Sequence, residues 1–161
     1  MADDANKIGM DCKLYYDSVS DQTTAIADGT QVLITRAIDV ECNADFNTGT
    51  FVSRASTWEA NGYGAKTLEL TFGYEHFAGT DTVFDFLLTN YAAKTVTRFL
   101  VLDSLFATVG AQGWVFWGLI SPPSVRQPLQ DGMTVDFTIR TARANNAGAI
   151  VDPVWHEIPA P

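Results

Sequence analysis

Histidine and cysteine are scarce in this chain, with two of each among 161 residues. Cys12 and Cys42 fall in strand-like runs without CxxC or any other metal-ligand spacing, which argues against a zinc ribbon or a disulfide scaffold and leaves buried, reduced thiols as the expectation. His76 and His156 stand alone, one at a strand end and one near the C-terminus, too scattered to suggest an acid–base pair. Cations are also few: 10 Lys and Arg face 19 Asp and Glu, for a formal charge of -9, which speaks against a basic patch that grips phosphate backbones. No apolar run approaches the length that crosses a bilayer, and residues 1–10 are polar and acidic with no apolar h-region, so a cytoplasmic protein with no membrane partner is expected.

Catalytic motifs are equally thin. There is no GxSxG elbow, and Gly62 and Gly64 lack the further glycine, the lysine and the strand-to-helix setting of a phosphate loop. The carboxylate pairs Asp39 with Glu41 and Glu69 with Glu75 read as solvated strand faces rather than a glycosidase pair. The expectation is therefore a protein that is not an enzyme, with no metal and no cofactor.

What the chain does have is strand. At 161 residues it is most simply one domain, long enough to bury about two thirds of its unfolded surface. Residues 66–76 alternate cleanly, with Leu68, Leu70, Phe72 and Tyr74 on one face and Thr67, Glu69, Thr71 and Glu75 on the other. Residues 133–141 repeat the pattern, Met133, Val135, Phe137 and Ile139 inward against Thr134, Asp136, Thr138 and Arg140. A first strand is expected over residues 10–16 and a second over 32–43, where Ile38, Val40 and Cys42 alternate with Asp39 and Glu41. Residues 112–120 break the alternation: Trp114, Phe116 and Ile120 fall on one side and Val115, Trp117 and Leu119 on the other. Such a strand needs cover above and below, and burial against another copy of the chain is the expected source, the alternative being a single sandwich with a helix lying outside it.

One helix is expected after Gly79, with Thr80 or Asp81 as N-cap, a stripe of Val83, Phe84, Leu87, Leu88 and Tyr91, and an end near Ala93. A strand follows over 95–103, and Ser121, Pro122, Pro123 and Pro128 mark a break in pairing. Residues 44–65 lose periodicity yet carry Phe46, Phe51, Val52 and Trp58. They read as an arm that orders against a neighbour, the plainer alternative being a short extra hairpin. After a body of residues 1–143, the extended tail 144–161 holds Ile150, Val154, Trp155 and Ile158 and is expected to dock. The fold class is mainly β: an antiparallel β-sandwich or barrel with one flanking α-helix and a long inter-strand loop.

The order of these features resembles the tail tube (major tail) proteins of long-tailed bacteriophages. The opening KIGMDCKLYY at 7–16 is similar to their first strand, and 38–43 with the loop at 54–58 to their second strand and long connection. Residues 66–75, the helix at 80–93 and the strand at 95–103 resemble the centre of that family, and LQDGMTVDFTI at 129–139 its closing strand. The chain departs at 121–128 and after 142.

The resemblance implies a structural virion protein, assembled in the host cytoplasm into hexameric rings that stack as a hollow tube for genome ejection. It implies a shared inner β-barrel with the helix outside. Its partners would be further copies of itself and the tape measure, terminator and baseplate proteins, with genome DNA passing without specific binding. Asp39, Glu41, Glu69, Glu75 and Asp136 are the candidates for the lumen, where carboxylates repel phosphates. Phe46, Phe51, Arg54, Trp58, Trp114, Trp117 and Trp155 are the candidates for contacts between subunits. The alternatives are a single-ring terminator, neck or secretion-tube protein, and a monomeric carbohydrate-binding β-sandwich that stacks sugars on tryptophan.

Overall fold

The computed structural model describes residues 12–18, 30–52, 59–77, 79–127, 132–142, 144–146 and 149–158. Its centre is one nine-stranded sheet in which every strand pairing is antiparallel. The main path runs β2 (Gln31–Leu33), β1 (Lys13–Asp17), β5 (Thr97–Leu102), β6 (Gln112–Ile120), β8 (Met133–Thr141), β4 (Glu59–His76) and β3 (Ala37–Val52). Two short strands join off this path: β7 (Ser124–Arg126) on β8, and β11 (Val154–Glu157) on β6. β9 (Ala144–Asn146) and β10 (Ala149–Val151) form a separate hairpin.

Helix α1 (Thr82–Ala93) lies on the apolar face of the sheet. Asp81 caps it by accepting from the Phe84 N–H at 3.2 Å, and Lys94 ends it in the left-handed conformation. Leu87 is buried in the main core, and Val83, Phe84, Phe86, Leu88 and Tyr91 pack around it. The alternating residues of β4 and β8 supply the facing layer: Leu70 opposes Ile139, Phe72 opposes Phe137 and Tyr74 opposes Val135. Stacked rings of Phe72 and Phe137, 5.5 Å between centroids, lock the two strands.

The doubly apolar reading of β6 holds, but its cover comes from within the chain. Phe116 and Ile120 belong to the main core, while Val115 joins a second cluster with Tyr15, Leu100 and Leu102 that Leu33 and Phe106 overlie. The inference from this strand to burial by another copy therefore falls. β1 departs from simple alternation for the same reason: Leu14, Tyr15, Tyr16 and Asp17 are all buried, because β2 and β5 flank it and both sheet faces are covered here.

Three other expectations are corrected. The second strand is two: β2 ends at Leu33, a turn intervenes, and β3 starts at Ala37. Residues 44–65 are not an irregular loop. β3 and β4 pair from Ala37 opposite Tyr74 out to Val52 opposite Glu59, a single long hairpin whose tip, 53–58, lies outside the described residues. From Leu68 outward β4 has β3 as its one described partner, since β8 joins only at Glu69. A two-stranded ribbon beyond the body needs no apolar face, so no alternation marks it. Cys12 is exposed, not buried; Cys42 is half-buried, and desolvation pushes its thiol up to about 11.

The proline break is local. β6 and β7 pair with the same edge of β8, Ile120 opposite Ile139 and Ser124 opposite Asp136, so Pro122 and Pro123 kink a strand that then resumes. The C-terminal segment joins the sheet through β11, Trp155 opposite Trp114.

Candidate functional site

The face of the sheet turned away from α1 divides into two halves. Over β1, β5 and β6 it is largely buried, Leu119 near the end of β6 being exposed. Over β3, β4 and β8 it is polar, and strand register alone assembles it: Asn43, Glu69 and Arg140 lie in one row, Glu41, Thr71 and Thr138 in the next, then Gly73 with Asp136, then Glu75 with Thr134. Four of the five acids proposed from the sequence, Glu41, Glu69, Glu75 and Asp136, thus share one surface. Asp39 differs. It is exposed at a register shift between β3 and β4 with a φ of 51°, a left-handed conformation that Asp tolerates in a bulge.

Two of these acids hold arginines. Arg140 Nε donates to Glu69 Oε2 at 2.7 Å, directly across the β4–β8 pair. Arg126 Nε lies 2.6 Å from Asp136 Oδ2, diagonally across β7 and β8. Glu41 instead accepts from the Asn43 side chain at 2.9 Å. Neither arginine partner is visible in periodicity, because both pairs depend on strand register, Glu69 with Arg140 across 71 residues and Arg126 with Asp136 across the neighbouring β7 and β8.

The aromatic candidates scatter. Trp117 is only 3% exposed, its ring covered by Arg98 at 5.3 Å, so it offers little surface to a neighbour. Arg98 itself pairs with Asp17 in the buried half, a charge pair that sequence reasoning missed although both residues interrupt apolar strands. Trp155 is 57% exposed and meets the half-buried Trp114 edge-on at 5.5 Å and 90°, an arrangement that gives no coplanar platform for a sugar ring. Phe46 and Phe51 lie on β3, with side chains that are not described, and Arg54 and Trp58 lie outside the described residues.

A third cluster ties the end of β4 to the helix. The Asp81 carboxylate accepts from Tyr74 Oη and from Arg36 Nη1, both at 2.8 Å, besides capping α1. Desolvation works to raise the Asp81 pKa, but the Phe84 N–H, the Tyr74 hydroxyl and the Arg36 charge outweigh it and hold the carboxyl below its usual range. Tyr74 is raised by burial and by the same carboxylate. No group of three metal-ligating side chains converges among the described residues.

The sequence matches no family model and no curated protein, so the likeness found is one of structure. A chain from the SPP1 tail tube superposes with a TM-score of 0.70 at 12% identity, covering 96% of this chain and 81% of that one. A chain from the tail of an empty gene transfer agent particle, a tail of C6 symmetry, gives 0.66 at 12% identity over 86% and 96%. This chain has the tail tube fold. A chain of the sheath–tube complex of an extracellular contractile injection system, in its extended state, gives 0.63 at 8% identity over 96% and 94%. The superpositions with these three chains span 86 to 96% of this chain.

Proposed function

We propose that this chain is a structural subunit of a phage or phage-like tail, which polymerises into stacked sixfold rings around a channel for the genome, and that it performs no catalysis. The observation that carries the reading is the near end-to-end match to chains from two tails and an injection-system tube complex, one of them of C6 symmetry. Three features of the molecule support it. The sheet path ends in two strands, β2 and β3, with one described neighbour each, edges that a ring of copies would pair. The β3–β4 ribbon reaches past the body and is suited to contact a neighbouring copy. The polar face carries Glu41, Glu69, Glu75 and Asp136 and is the candidate lumen wall, past which DNA moves without specific binding.

On this reading the partners are further copies of the chain, together with tape measure, terminator and baseplate proteins, and the site of action is the virion tail. Negative-stain electron microscopy of the purified protein over a range of concentrations tests it. Hollow filaments with a regular ring repeat are expected; isolated rings would make it a terminator or neck protein, and monomers throughout would overturn the tube reading.

A further inference from the structure

We infer that Glu69 and Asp136 serve as covers for Arg140 and Arg126, so that the polar sheet face is a phosphate-binding surface held closed by its own carboxylates. The inference rests on the tail tube reading for the DNA that meets this face, but its chemistry stands on the ion pairs themselves.

Among the described residues of the polar half, the cations are Arg126 and Arg140, and each is engaged by a carboxylate at 2.6 and 2.7 Å. The same holds elsewhere: Arg36 pairs with Asp81 and Arg98 with Asp17, so every described arginine is matched to an acid. Side chains of Arg126 and Arg140 are 75% and 70% exposed, and pairs this exposed contribute little to folding. Their value lies elsewhere. A guanidinium uses the same fork of N–H donors for carboxylate and for phosphate. Glu69 is fixed opposite Arg140 by strand register, and Asp136 is one diagonal step from Arg126, so each carboxylate is present at its arginine without any encounter. A passing phosphate must displace it. Thr134 lies opposite Arg126, and Thr71 and Thr138 form the row next to Arg140, so all three would add hydroxyl donors to any phosphate that succeeded. Acidic residues on this surface thus have two uses. Glu41 and Glu75 contribute repulsion alone; Glu69 and Asp136 also remove the two groups that would make DNA stick.

The test follows binding of a short labelled DNA duplex by fluorescence anisotropy between about 50 and 200 mM salt, a range over which affinity reports the number of phosphates engaged. Two double variants are compared, Glu69→Gln with Asp136→Asn and Glu41→Gln with Glu75→Gln. They change the net charge equally, so a general electrostatic effect moves both alike. Wild type and the Glu41/Glu75 pair are expected to stay unbound. The Glu69/Asp136 pair is expected to bind, losing about twelvefold in affinity across that salt range, the slope for two freed arginines. Adding Arg126→Gln and Arg140→Gln should abolish the gain, and Glu69→Gln alone should show about half the slope. Equal gains in both double variants, or none in the Glu69/Asp136 pair, would overturn the inference. Electron microscopy of the same samples reports separately on filaments, so a failed tube reading and a failed cover reading are told apart.

Discussion

The phenol of Tyr74 donates to the Asp81 carboxylate at 2.8 Å, joining the buried end of β4 to the first turn of α1. Arg36, from the turn before β3, closes the same carboxylate from the other side. One side chain therefore fastens helix, strand and turn.

Replacing Asp81 by Ala should destabilise the protein by about 2 kcal/mol, the cost of a helix cap plus the buried Tyr74 hydroxyl left without its acceptor. The pH dependence has a definite sign. The folded pKa lies below the unfolded value of about 3.9, so the contribution is full above that value and is lost as pH falls through the folded pKa. Asp81→Asn should lower Tm near neutrality and flatten the acid limb of a Tm-against-pH curve. An acid limb as steep as that of wild type would show that the linkage lies elsewhere.

Gly113 faces Leu102 across β5 and β6, and a Cβ there would lie 1.8 Å from the Val101 carbonyl oxygen. Backbone cannot yield as a side-chain tip can. Gly113→Ala should therefore cost roughly 3 kcal/mol or abolish folding, measured by urea denaturation. A substitution at Gly132, where the space is open, should cost under about 1 kcal/mol.

Trimming the ribbon separates folding from assembly. Joining Phe46 to Lys66, which are register partners, through an Asn-Gly turn removes residues 47–65 and leaves the main core intact. The trimmed chain should keep Tm within a few degrees of wild type, stay monomeric by light scattering and form no filaments. Filaments that persist would remove the ribbon from the assembly contacts.

Ending the chain before Val154 uncovers the β6 edge over Gln112–Val115 and the ring of Trp114. Stability should fall by about 2 kcal/mol, with a red shift in tryptophan emission. Trp155→Ala alone should produce a smaller loss and no change in emission on adding oligosaccharides, whereas a saccharide response in wild type would favour the carbohydrate-binding alternative.

Much of the body was legible in the sequence. The strands 112–120 and 133–141 and the helix capped at Asp81 stand where the apolar pattern and capping chemistry put them, because a segment packed against a core must show it in its residues, 133–141 and the helix on one face and 112–120 on both. The ribbon was not legible, since strand pairing needs no apolar periodicity and the residues of 44–65 follow none. No periodicity or motif singles out Arg98 or Asp17, and only the fold reveals that both are enclosed. For the polar face, the acids could be listed from their alternation, but their division into repelling and arginine-holding members depends on the register of β4, β7 and β8.

The pairing of β1 with β5 sets Tyr15 opposite Leu100, across most of the chain, whereas β3 and β4 are consecutive and meet in a hairpin. Hairpins close in microseconds, while sheets built from distant strands take milliseconds to seconds. The order of events during folding follows: the ribbon can zip long before the body it projects from is complete. On the tube reading, a chain that polymerised through the ribbon alone would be captured half-folded, so contacts on surfaces that exist only once β1 has found β5 would keep assembly behind folding.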